Sequence, residues 1–157
     1  MRTHRARKVR RAFSIIELLL TMTIIGLLAR IGVPRYSDMK RRAIASSILG
    51  DVHTIRLASF THYTEHGAFP SDAAVGQVPV QLVDGLPLGF SFNKPDWDYD
   101  YDIWTMTNGS GNSETLIGVT VIVSDPRLAA QLVKMAGAGY IPIVTPTSVT
   151  FLVSSAS

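Results

Sequence analysis

Residues 13–33 read FSIIELLLTMTIIGLLARIGV, an apolar run broken only by Glu17 and Arg30. As a helix, these 21 residues would span about 31 Å, near the thickness of a bilayer core. Past Pro34 the pattern turns amphipathic. Ile44, Ile48, Val52, Ile55 and Ser59 recur at steps of three and four, and Ala45, Leu49 and Ala58 widen the stripe. One helix is therefore predicted from Phe13 to about His66, stopping before Gly67. Pro34 should kink it by removing a hydrogen bond, and Gly26 should weaken it. Residues 67–95 are rich in Gly, Pro and Asp and read as a long connection with a short helix from Ser71. Trp97, Tyr99, Tyr101 and Ile103 then alternate with Asp96, Asp98, Asp100 and Asp102, a strand with one aromatic and one acidic face. A turn at Asn108–Asn112 leads to a second strand at about Thr115–Ser124. Asp125-Pro126 marks the start of a helix Pro126–Ala136 presenting Leu128, Leu132 and Val133 or Met135, ended by Gly137 and Gly139. Thr147–Val153 reads as a last strand, followed by a polar Ser154–Ser157 tail. The fold class is α+β, a long helix on a small antiparallel sheet.

The distribution of charge changes how the formal net charge of +3 is understood. Residues 1–11 carry six basic residues and no acid. Beyond Arg42, four basic residues face ten acidic ones, a balance of −6. A nucleic-acid-binding domain carries its basic patch on the folded part, so this body is not expected to bind nucleic acid. Without cysteine there is no disulfide, thiol nucleophile or thiolate metal site.

Arg30, near one end of the apolar run, can snorkel to headgroups. Glu17 is costly in a membrane helix, on the order of 3 kcal/mol, and such a residue usually marks function. A secretory signal peptide would share the basic leader, but no small-x-small cleavage site follows the apolar core; Ile31-Gly32-Val33-Pro34-Arg35 stands there. A plain anchor has no use for Glu17. Arg35, Lys40, Arg41 and Arg42 form a basic collar where anionic headgroups would be near.

Arg11-Ala12-Phe13-Ser14-Ile15-Ile16-Glu17-Leu18 resembles the leader junction of type IV pilins and type II secretion pseudopilins. The resemblance continues through Gly26, Pro34 and Tyr36, and more weakly at Tyr63–Pro70, which is similar to the family's helix exit. It implies a pilin-like fold and a cut by prepilin peptidase between Ala12 and Phe13, followed by N-methylation of Phe13. It further implies a role for Glu17 in assembly, pairing with the terminal amine of a neighbouring subunit, and for Gly26 and Pro34 in loosening the helix for packing. Two opposite charges in an apolar bundle attract strongly, and leaving either unpaired is costly, so such a pair would fix axial register. The family usually has Gly where Ala12 stands and a small apolar residue where Arg30 stands.

The implied organisation is a leader at 1–12, a transmembrane and assembly helix at 13–34, an amphipathic helix at 35–66 and a globular body at 67–157. The chain would sit once in the inner membrane with its body outside the cytoplasm, then in a periplasmic or surface filament. Its partners would be prepilin peptidase, copies of itself, other pilin-like subunits, an inner-membrane assembly platform and, before assembly, membrane lipid.

Two motifs in the body suggest other chemistry. Asp96, Asp98, Asp100 and Asp102 are calcium candidates, and some pseudopilins bind calcium. Alternating Asp also keeps a sheet edge soluble and unpaired, and a single strand does not converge ligands, so that reading is preferred and no cofactor is expected. His62-Tyr63-Thr64-Glu65-His66 formally fits the H-x-x-E-H pattern of zinc peptidases. It abuts a helix end without a supporting motif. No catalytic residues are assigned, and the chain is read as a structural filament subunit, not an enzyme. A pseudopilin or minor pilin is favoured over a major pilin. The alternatives are a membrane-anchored binding protein that never polymerises and a zinc peptidase using His62, Glu65 and His66.

Overall fold

A computed structural model describes residues 13–107, 113–137, 140 and 142–156. The leader with Ala12, the turn Asn108–Asn112, Gly139 and Ser157 lie outside the described residues. The elements run α1 (Ile15–His66), a 3-10 segment (Val80–Gly85), β1 (Trp97–Thr107), β2 (Ser113–Val123), α2 (Pro126–Ala136), β3 (Pro142–Val144) and β4 (Ser148–Ala156). The chain divides into two compact units, the first ending at Met39 and the second beginning at Lys40.

The first unit is the apolar part of α1. Phe13, Ile16, Leu19, Ile25, Leu28 and Ile31 are among its exposed large apolar side chains. No described residue of the unit covers them, because a single helix has no other layer to pack on. Thr21 and Thr23 donate their hydroxyls to the carbonyls of Leu18 and Leu19, at 2.9 and 2.8 Å. Their polarity is thus absorbed by the helix itself, as an apolar solvent requires. Pro34 lies inside the helix, and the Ser37 hydroxyl donates to its carbonyl.

The second unit is the α+β body. The sheet order is β1-β2-β4-β3, with every pair antiparallel. Ala45, Ile48, Val52, Ile55, Ala58 and Ser59 of α1 are buried, the stripe that the spacing predicts, with Ile44 and Leu49 partly buried beside it. They share one core with Tyr99 and Tyr101 of β1, Val119 and Val121 of β2, and Val149 and Phe151 of β4. α2 adds Leu128, Ala129 and Leu132 to the same core. Val133 is partly buried there while Met135 stays exposed, so Val133 is the third apolar contact of that helix.

Polar links fix how the layers meet. The Tyr99 hydroxyl donates to Asp51 Oδ2 at 2.8 Å, tying β1 to α1. Asp125 caps α2 by accepting the Arg127 backbone N–H on Oδ1 at 2.9 Å. Its Oδ2 accepts Arg41 Nε at 3.0 Å, so one carboxylate starts α2 and binds it to α1. Hydrogen bonding by Arg41 and by the Arg127 backbone holds the Asp125 carboxyl below the usual carboxylate range. Arg41, read from the sequence as part of a collar for headgroups, is therefore engaged with the body.

The helix expected from Ser71 is not formed. Residues 71–79 are irregular, and the helical turns come later, as the 3-10 segment packing Leu82 into the core. Part of that stretch has a different use. Gly76 N–H donates to the Tyr99 carbonyl at 2.8 Å, and Tyr99 N–H donates to the Phe92 carbonyl at 2.8 Å. These loops cover the outer edge of β1 from Trp97 to Tyr101, so that part of the edge is not left unpaired as the sequence reading had it. The polar Ser154–Ser157 tail also differs, because β4 continues to Ala156 by pairing with β2 as far as Thr115. β3, too short to show a period of two, pairs with β4 and closes the other side of the sheet.

Candidate assembly site

Phe13 and Ser14 precede the first helical residue, Ile15. The Ser14 carbonyl accepts the N–H groups of Glu17 and Leu18, at 3.1 and 3.2 Å, which starts the helix. Glu17 is therefore in the first turn, where the partial positive charge of the helix end favours a carboxylate. Its neighbours Ile15, Ile16, Leu18, Leu19 and Leu20 are all exposed apolar side chains, between 49% and 79% accessible. The arrangement is an acidic group on the rim of an apolar rod. Removing that rod from water without a cation for Glu17 would leave a buried unpaired charge.

Gly26 and Pro34 lie along the same rod. A Cβ built on Gly26 meets nothing within 4 Å. Among the described residues, no contact requires a glycine there. Arg30 lies between them, four residues before Pro34, on the exposed helix. One described helix, α1, is long and apolar enough to cross a membrane by length and composition.

The far end of α1 falls within Tyr63–Pro70, where the sequence pattern places the helix exit. Gly67, at φ +73°, donates its N–H to the Tyr63 carbonyl at 2.8 Å and ends the helix in the left-handed conformation that glycine adopts without strain. The chain then folds back. Phe69 stacks on Tyr63 with centroids 4.5 Å apart and meets Phe60 edge-on at 5.8 Å, and Pro70 is buried.

Comparison with known proteins adds names to this geometry. The chain is 31% identical over 72 residues to the fimbrial protein EcpC of Eikenella corrodens, covering 46% of this chain and 47% of that one. It is 31% identical over 64 residues to the type IV major pilin protein PilE of Neisseria gonorrhoeae, covering 41% and 38%. It is 29% identical over 109 residues to a fimbrial protein of Pseudomonas aeruginosa, covering 68% and 58%. This chain is related to the type IV pilins. The pilin-like chain spans about half the length of the curated relatives it matches. No family model matches it, and no solved structure does. Its relatives are named as fimbrial proteins and pilins, in keeping with the reading of the pilin-like chain as a structural protein.

The two other candidate constellations can now be placed. Asp98, Asp100 and Asp102 lie on the sheet face opposite the core, partly buried, and Asp96 is exposed. Asp102 Oδ2 accepts the Thr120 hydroxyl at 2.7 Å, and Thr120 meets Thr150 at 2.8 Å, a polar ladder across β1, β2 and β4. Burial, then the charges of Asp102 and Asp72, push the Asp100 carboxyl up to about 6. Asp98 and Asp100 each bury one oxygen without a hydrogen-bond partner among the described residues. His62 and His66 share a helix face and stack, but among the described residues no group of three His, Asp or Glu side chains converges as a metal site. Sequence reasoning missed the Asp51–Tyr99 and Arg41–Asp125 links, since their partners lie 48 and 84 residues apart and carry no local signal.

Proposed function

We propose that this chain is a structural subunit of a type IV pilus-like filament, assembled through the apolar helix that begins at Phe13. The observation that carries the reading is Glu17, a first-turn carboxylate on an uncovered apolar rod. Prepilin peptidase would cut between Ala12 and Phe13 and methylate the new amine, which stays cationic. In a bundle of such helices the amine of one copy and Glu17 of the next neutralise each other and fix the axial step. Gly26 and Pro34 let the helix loosen as it packs, which agrees with a glycine that no contact among the described residues demands. Before assembly the chain would be held once in the inner membrane with its body outside the cytoplasm, next to an assembly platform; afterwards it would lie in a periplasmic or surface filament. The modest body favours a pseudopilin or minor subunit, whereas the gonococcal relative is named a major pilin.

The Glu17→Ala variant should be processed and membrane-bound yet give few filaments. Mass spectrometry of sheared filaments and of membranes checks both halves at once. Normal filament yield from that variant would sink the assignment, and processed wild-type chain that never leaves the membrane would favour an anchored binding protein. Wild-type filaments should yield a subunit beginning at methylated Phe13, and its abundance separates a major from a minor role.

A further inference from the structure

The last two turns of α1 carry a pair of histidines that the assembly role does not use. His62 and His66 are four residues apart, on one helix face, with ring centroids 4.2 Å apart and planes 18° from parallel. His66 Nδ1 lies 3.2 Å from the His62 carbonyl oxygen. A carbonyl can only accept, so Nδ1 carries the hydrogen, and in the neutral tautomer Nε2 then keeps its lone pair. This is how proteins prepare an imidazole as a ligand: one ring N–H anchored on oxygen, the other nitrogen free. The pair lines a cleft of about 340 Å³ between the end of α1 and the 3-10 segment. Glu65 and Asp84 line it too, and none of its lining residues is Lys or Arg. The cleft therefore presents two carboxyl groups beside the imidazoles, a lining that suits a cation.

We propose that His62 and His66 chelate one borderline divalent transition-metal ion, of the zinc, nickel or copper type, at the mouth of this cleft. Metal–imidazole bonds of about 2.0–2.1 Å let one ion bridge two nitrogens up to about 4 Å apart, and the two near-parallel rings must turn about their side-chain torsions to aim both lone pairs at it. Imidazole nitrogen suits zinc, nickel and copper, whereas calcium and magnesium take oxygen ligands. Because no third ligating side chain converges among the described residues, water completes the coordination. The nearby carboxylates then act through that water and through their charge. The ion ties two successive turns together and holds the helix end against fraying just before Gly67.

The test is titration of the full-length chain in detergent micelles with zinc chloride and, separately, nickel chloride, followed by calorimetry and by melting temperature. The wild type should bind one ion and melt higher with metal. His62→Asn and His66→Asn should each weaken binding about tenfold or more, the usual scale for disturbing a metal site. His53→Asn, an exposed histidine elsewhere on α1, and His4→Asn should bind as the wild type does. His66 is exposed, so its variant carries the result should His62→Asn lower the metal-free melting temperature. A wild type that binds no metal overturns the proposal. So does unchanged binding by His66→Asn, or binding lost in the His53 or His4 variant.

Discussion

Tyr99 and Tyr101 sit two residues apart on one face of β1, both with no solvent exposure, yet their hydroxyls are treated differently. Tyr99 donates to Asp51, while the Tyr101 hydroxyl, near Ser59, has no hydrogen-bond partner among the described residues. Burial raises both phenols, Tyr101 to about 12 and Tyr99 further because the Asp51 carboxylate adds to it. Tyr99→Phe should therefore cost about 1–2 kcal/mol by stranding Asp51, whereas Tyr101→Phe should be neutral or slightly stabilising, since it removes an unsatisfied group. Urea denaturation of both variants checks the contrast. Asp100 offers a test with pH. Its carboxyl titrates near 6 in the fold and about 3.9 in the unfolded chain. Between these values the folded state holds more protons, so stability falls as pH rises from about 4 to 6. Asp100→Asn should flatten that part of the profile and gain roughly 1 kcal/mol at pH 7, after allowing for solvent screening. A profile identical to the wild type between pH 4 and 6 would contradict the assignment. Asp125 runs the other way: its lowered carboxyl contributes stability above the unfolded value, lost as pH falls through the folded one.

Elements differ in how far their residues announce them. α2 is local in origin: Asp125 caps it, Pro126 opens it, Gly137 follows it, and its apolar spacing is regular. Its bounds could be read from the sequence for that reason. The segment after Ser71 could not, because its order comes from distant partners, with Gly76 held on β1 and Leu82 held in the core. The sheet contains a further constraint of this kind. Register slips between Ile117 and Gly118, and the Trp104 ring lies over Gly118. A Cβ there would come within 2.8 Å of Trp104 Cζ3 and 3.1 Å of Thr150 Cγ2. Gly118→Ala should destabilise the body by about 1–3 kcal/mol, and Trp104→Ala should relieve much of that cost in the double variant. Additive losses in a chemical-denaturation cycle would show that the ring is not the obstacle.

At the scale of the molecule, the two units differ in whether their apolar side chains find cover. Residues from Lys40 onward bury a common core, while the described ones up to Met39 leave their large apolar side chains uncovered. The body should therefore fold without the apolar rod. Residues 40–157 produced alone should be soluble and melt cooperatively, with the full chain requiring detergent. Aggregation of that fragment, or absence of a cooperative melt by circular dichroism, would show that the rod contributes to the fold.

The long helix, its buried stripe, the aromatic and acidic faces of β1, and Glu17 in an apolar run were all readable from the sequence, because each is a periodic or local pattern. The four-stranded order, the loops covering β1, the engagement of Arg41 with Asp125 and the stacking of His62 on His66 beside Asp84 were decided by the tertiary structure. These depend on which distant segments meet. Hydrophobic periodicity says that a face must be covered, but it does not name the residues that cover it.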